Sequence, residues 1–318
     1  MVCLRARSWD HPFSVCIYAA PLADIARSHN IDVHLYADDT QLYTSFNPSD
    51  PDSEAHARTR MGACIAEMKT WMTCNKLKLN DDKSELLIIA SRNQMSKIRC
   101  HSLHIGNSLV NAKPSVRNLG VQFDSEMSMS AHVNLTCRNL FFQIRNINSV
   151  RKSMSEKVTA SIIHSYIISR LDYGNAILFN ANSDQIVKLQ RVQNATARIL
   201  SKTSKYTHIT PVLKELHWLP VMERIKFKIL LLTWKIVNGL APHYLDDLIS
   251  KYVPARNLRS SGTGLLTPRR VKCSFGEKAF ATSAPILWNA LPSNVRNAKS
   301  IESFKSSLKT YLFLSHFK

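Results

Sequence analysis

With 318 residues, 45% of them hydrophobic, the chain is long enough for about two domains and too apolar for a disordered one. Its net charge of +19 excludes an acidic surface and favours a polyanionic partner, either nucleic acid or an anionic membrane. Seven cysteines without a C-x-x-C pair exclude a disulfide framework and a zinc knuckle, and read as reduced thiols of an intracellular protein.

In chain order, the first 20 residues do not read as a signal peptide, because the apolar stretch from Phe13 to Ala20 is short and follows Asp10 and His11. Ala19 to His29 reads as a short helix with Pro21 in its first turn. A hairpin is expected over 31–46, in which Ile31, Val33 and Leu35 alternate with polar residues before Asp38 and Asp39, and Leu42, Thr44 and Phe46 alternate after them. From Glu54 to Asn75, Met61, Cys64, Ile65, Met68, Trp71 and Met72 recur at helical spacing, an amphipathic helix with one buried face. A strand is expected at 85–90, a small hairpin at 103–110 turning at Gly106-Asn107, and a further strand at 116–124.

After Asp124 the pattern turns helical. Helices are expected over 128–150, 155–170 and 183–201, then two or three more from Thr210 with breaks at Pro220 and Gly239. Residues 253–280 read as a loop with short strands, and 300–317 as a closing helix capped by Ser300. The apolar run at 229–237 is too short for a membrane span and contains Lys235. The charge follows this division. Residues 1–124 carry 14 Lys+Arg against 13 Asp+Glu, whereas 125–318 carry 28 against 10. The second half therefore reads as a grip on a polyanion. Its candidate phosphate contacts are Arg138, Arg145, Arg151, Lys152, Arg191, Arg198, Lys202, Lys205, Arg269, Arg270 and Lys272. Trp218, Trp234 and Trp288 interleave with basic residues, yet their apolar helical contexts favour core packing over base stacking.

The pair Asp38-Asp39 has two readings. Aspartate is a common turn residue, because its side chain bonds local backbone. Two carboxylates projecting from a strand-turn-strand also hold divalent cations beside a phosphate chain.

The flanking residues carry a resemblance. "YADD" at 36–39, "WMTCNKLKLNDDKSELLII" at 71–89 and "VRNLGVQFD" at 116–124 resemble successive blocks of non-long-terminal-repeat (LINE-type) retrotransposon reverse transcriptases. "SYIISRLDYGNAIL" at 165–178, "LQRVQNATARIL" at 189–200, the "HWLP"-bearing stretch at 209–249 and "APILWNALPSNVRNAKSIESFKSSLKTYLF" at 284–313 resemble thumb and C-terminal segments of the same family, in family order. The resemblance spans roughly 17–318.

It implies an α+β fold: a partial palm, in which a small antiparallel sheet packs with helices, followed by a mostly helical thumb and C-terminal region. The corresponding divisions are an unmatched 1–16, the partial palm at 17–124, a thumb-like domain at 125–205 and a helical C-terminal segment with a basic loop at 206–318. It implies RNA-directed DNA synthesis with Mg²⁺ or Mn²⁺ on an RNA template and DNA primer, in a nuclear or cytoplasmic ribonucleoprotein. Asp38 is then the direct metal ligand, Asp39 its companion, and Lys83 the group facing the departing pyrophosphate. Tyr36 lies near the incoming nucleotide, and Asn118, Leu119 and Gly120 support the primer end. For Lys83 a plain solvated charge beside Asp81 and Asp82 is the competing reading. The family's further catalytic aspartate, its fingers and its Gly-rich block have no counterpart among the 35 residues before Tyr36. The expectation is a chain that does not polymerise alone, and the alternative function is a non-catalytic, basic RNA- or DNA-binding remnant.

Overall fold

The computed structural model describes residues 1–7, 12–37, 39–80, 83–105, 108–253, 264–271 and 274–317, with backbone alone for 3–7, 12–19, 274 and 275. The fold is mixed α+β, mostly helical, with small antiparallel sheets, and divides into two compact units, Met1–Ala131 and His132–Lys318.

The first unit opens with β1 (Val2–Arg7), α1 (Pro12–Ser28), a hairpin of β2 (Asp32–Tyr36) and β3 (Asp39–Tyr43), α2 (Pro51–Cys74) and β4 (Lys78–Leu79). The sheet order is β2-β3-β1-β4, every neighbouring pair being antiparallel, so the unit is a split βαββαβ arrangement. A short β5 (Glu85–Leu86) pairs with the first residues of β1, on the same edge as β4. Then follow α3 (Arg92–Met95), a hairpin of β6 (Ser102–Ile105) and β7 (Ser108–Asn111), and a hairpin of β8 (Ser115–Asn118) and β9 (Val121–Asp124).

Local chemistry explains the best-defined element. The Asp50 side chain accepts a hydrogen bond from the Asp52 N–H at 3.1 Å and Pro51 opens α2, while Asp52 and Glu54 sit in its first, electropositive turn. The expected stripe Met61, Cys64, Ile65, Met68 and Met72 is buried, and Trp71 packs at its margin. These residues share one core with Leu22 and Ala26 of α1, Leu42 of β3 and Val2 of β1. Each such fully buried aliphatic side chain contributes about 1.5–3 kcal/mol relative to exposure.

Residues Val2–Arg7, in the segment unmatched by the resemblance, form the inner strand β1. Three expectations are corrected. α1 begins at Pro12, so Pro21 lies inside the helix. One backbone bond is lost there, and the buried Leu22–Ala26 face compensates for it. The strand expected at 85–90 is reduced to Glu85–Leu86, because only those residues and Leu87, whose N–H donates to the Met1 carbonyl, find partners along β1. "VRNLGVQFD" is a hairpin, not one strand. Leu119 at φ 44° and Gly120 at φ 83° form its two-residue loop, both in the left-handed region that a type I′ turn needs. Leucine is strained there. Leu119→Asn is expected to raise the stability of the chain by about 1 kcal/mol in denaturant titration, and a loss of stability would contradict the turn assignment. The turn of the 103–110 hairpin falls on 106–107, outside the described residues.

The second unit holds α4 (Ser130–Val150), α5 (Glu156–Ile163), a π-helical turn His164–Ile168, α6 (Ser169–Asp172), α7 (Ser183–Ser201), α8 (Ile209–Glu215), α9 (Val221–Val237), α10 (Ser274–Lys278), α11 (Phe280–Asn289), α12 (Ser293–Arg296) and α13 (Ile301–His316). The helix expected over 155–170 is thus present with its middle widened into the π turn. The breaks expected at Pro220 and Gly239 bracket α9, and Ser300 caps α13, accepting from the Ser303 N–H at 3.2 Å. Trp234, Trp288, Phe304, Leu308 and Leu312 form this unit's buried core, and Trp218 is buried as well. All three tryptophans are therefore packing residues. No helix among the described residues is long and apolar enough to cross a membrane.

Candidate functional site

Asp39 opens β3, the second strand of the hairpin β2–β3. Tyr36 pairs with Asp39 in the Cα register, and Ala37, which follows Tyr36, adopts φ 52°. Asp38 itself lies outside the described residues. Tyr36 is 60% exposed, whereas Thr40, Gln41 and Leu42 are all buried, because β3 is an inner strand of the sheet.

Two of these buried residues are polar and need partners. Gln41 Nε2 donates to Asn118 Oδ1 at 2.7 Å, and the Tyr43 hydroxyl donates to Gln41 Oε1. This chain of bonds ties the hairpin to the β8–β9 turn. It brings Asn118, the last residue of β8, against the strand that begins with Asp39, so the two separately expected motifs meet. Gly120 serves the turn through its positive φ. Sequence reasoning missed Gln41, whose only signal is a long polar residue beside Leu42 in a strand. Lys83 is exposed, on a loop leaving the β4 edge, where its N–H donates to the Asn80 carbonyl at 3.1 Å. β1 lies between that edge and β3, and Asp81 and Asp82 fall outside the described residues.

A two-metal site needs several oxygen ligands converging on one place. The residue directly across from Asp39 on β1 is Arg5, with Leu4 opposite Thr40. Among the described residues no group of three or more histidines, cysteines, aspartates or glutamates is set to hold a metal ion. No catalytic step follows from the described residues alone. Cysteine chemistry is equally muted. Burial pushes the Cys64 thiol up to about 11, with Glu67 adding to the shift, and burial also raises Cys137, so both stay protonated.

The expected phosphate contacts lie in the second unit. Arg138 and Arg145 are exposed on α4 and Arg191 on α7, each on the face opposite the buried stripe. Arg151, Lys152 and Lys202 come together around a hollow of about 310 Å³, with Met154, Glu156, Thr159 and Leu200 as its other walls. Arg151 and Lys152 sit just before α5. Lys202 ends α7 in a left-handed conformation, φ 59°, and so projects from the helix end. Arg151 Nη2 is buried without a protein acceptor. A guanidinium N–H in that state is a donor lacking its bond.

The remaining basic residues differ in position. Arg198 is half-buried and donates to the Thr207 carbonyl at 3.2 Å, which anchors the segment after α7 and leaves less of it for a ligand. Lys205 Nζ lies 4.9 Å from the centroid of the Tyr206 ring, which is 86% exposed and carries no signal of its own in the sequence. Arg269 donates to the Asp247 carbonyl at 2.9 Å, Arg270 is exposed, and Lys272 lies outside the described residues. No family model matches the chain, and neither a curated protein nor a solved structure matches it.

Proposed function

We propose that the chain is the C-terminal part of a LINE-type retrotransposon reverse transcriptase, and that it binds an RNA–DNA template-primer without extending it. In this reading the βαββαβ unit is a partial palm and the second unit a thumb-like grip. The observation that carries the binding reading is the hollow walled by Arg151, Lys152 and Lys202, together with the guanidinium nitrogen of Arg151 that has no hydrogen-bond partner. Phosphate oxygens are acceptors of the right charge and geometry for that group. The exposed Arg138, Arg145 and Arg191 add positive charge on the same unit, and Tyr206 offers a stacking face.

The catalytic half of the family's activity rests on the resemblance of 36–39, where Tyr36 pairs with Asp39 across the hairpin. The experiment is fluorescence anisotropy with a labelled RNA–DNA hybrid, a duplex DNA and a single strand. Binding that weakens steeply with salt and varies little with sequence is the expected result. A flat salt response, or no binding by a folded chain, would overturn the reading.

A further inference from the structure

The second unit contains a larger pocket, about 530 Å³, that the proposed grip does not use. It is built where two stretches of sequence meet, "LDYGN" at 171–175 and "LHWLPVMER" at 216–224. α6 ends at Asp172, Tyr173 is extended and Gly174 turns left-handed at φ 62°, a conformation glycine adopts without strain. That turn swings Asn175 inward, where it is 4% exposed. From the other stretch, Arg224 in the first turn of α9 grips Asp172 with two bonds, Nε to Oδ1 at 2.9 Å and Nη2 to Oδ2 at 2.6 Å. The carboxylate is thereby neutralised and fixed.

The Asn175 amide is fixed in turn. Its Nδ2 lies 3.4 Å from Asp172 Oδ1, and its Oδ1 is buried without a partner. Asn175, a residue of the pocket wall, thus carries an acceptor lacking its N–H donor. Trp218 and Phe227 give the wall aromatic area, and Trp218 is held edge-on to His164, the first residue of the π turn, at a centroid distance of 6.0 Å. π turns of this kind recur at ligand sites. Lys228 and Lys309 line the same pocket and are exposed. A planar ring bearing an N–H donor, joined to an anionic group, matches all three features.

We infer that this pocket binds a nucleoside phosphate whose base carries an exocyclic amine, with the amine donating to Asn175 Oδ1 and the phosphate meeting Lys228 and Lys309. The inference stands apart from the phosphate grip, since none of the grip residues lines this pocket. The ligand is either a free nucleotide or the terminal nucleotide of a strand.

Isothermal titration of the full chain with AMP tests it. Saturable one-to-one binding is expected, about tenfold weaker for purine riboside 5′-monophosphate, which differs by the missing amine. Lys228→Met with Lys309→Met is expected to weaken AMP binding by at least tenfold. The same charge loss at Lys157→Met with Lys251→Met, outside the pocket, is expected to leave it unchanged. Leu231→Trp fills the pocket without altering charge and is expected to abolish AMP binding. Competition by a trinucleotide with a 3′ adenosine identifies a strand end, and lack of competition identifies the free nucleotide. No saturable binding by the folded chain, or equal losses in the two lysine pairs, would overturn the inference. Neither result touches hybrid binding at the Arg151 hollow, which is read separately by anisotropy.

Discussion

Phe304→Ala is expected to destabilise the second unit by about 3–5 kcal/mol, the cost of removing a fully buried aromatic side chain and leaving its cavity. Phe304 is 0% exposed and lies between two tryptophans. Its ring stacks on Trp234 at a centroid distance of 5.5 Å and packs on Trp288 at 6.1 Å. Those three rings join α9, α11 and α13, elements drawn from more than 60 residues of chain. An alanine leaves the two indoles facing a void that neither backbone nor neighbouring side chains can fill. Phe304→Leu keeps most of the volume, and its expected cost is under about 1.5 kcal/mol. Urea unfolding followed by tryptophan fluorescence reports both variants directly. An alanine cost below about 1 kcal/mol would show that the three helices do not share this core.

The second large effect is on nucleic-acid affinity. Binding that uses about 6–10 phosphate contacts loses about 10³–10⁵ in affinity between roughly 50 and 200 mM salt. The exposed or hollow-lining candidates Arg138, Arg145, Arg151, Lys152, Arg191, Lys202 and Lys205 supply a set of that size. Each glutamine replacement of a true contact lowers the slope of log affinity against log salt by about 0.9 for duplex. Arg151→Gln is expected to do more, because the Arg151 nitrogen is buried and its phosphate bond is shielded from water. Arg198→Gln is expected to act differently. Its bond to the Thr207 carbonyl is structural, so the variant loses stability and keeps its salt slope. Equal slope changes at positions 151 and 198 would contradict this division of roles.

Much of the architecture was legible in the residues. α2 could be read from Asp50, Pro51 and its apolar stripe, and α13 from Ser300 with Phe304, Leu308 and Leu312, because capping and periodicity are local signals. The burial of Trp234 and Trp288 followed from their helical contexts for the same reason. β1 was not legible. Val2–Arg7 is a strand because β3, β4 and β5 pair with it from 34 (Arg5 with Asp39) to 84 (Val2 with Leu86) residues away, and such pairing leaves no local mark. The hairpin at 115–124 was misread because its loop is Leu-Gly, not the Asn-Gly that signals a tight turn.

The candidate sites divide along the same line. YADD announces a hairpin tip through its alternation, and the basic bias of the second half is visible by counting. That Arg151 and Lys202 share one hollow depends on how α5 and α7 pack, which no spacing encodes. The meeting of Asp172 with Arg224, 52 residues apart, is hidden likewise, although both stretches stood out as sequence. Arg5 opposite Asp39 is the most consequential unseen feature, because it exists only through the register of a strand whose presence the sequence does not signal.

The central claim, a chain that holds a primed template and does not extend it, is tested by one assay. The folded chain is incubated with an oligo(dT)-primed RNA, deoxynucleotides and Mg²⁺, then Mn²⁺, beside an Asp38→Ala/Asp39→Ala variant, and the primer is followed by anisotropy and by length. The account predicts salt-sensitive binding of the primer-template by both proteins and no added nucleotide from either. Extension by the native chain that is lost in the double variant would overturn it, since Asp38 and Asp39 would then be working metal ligands.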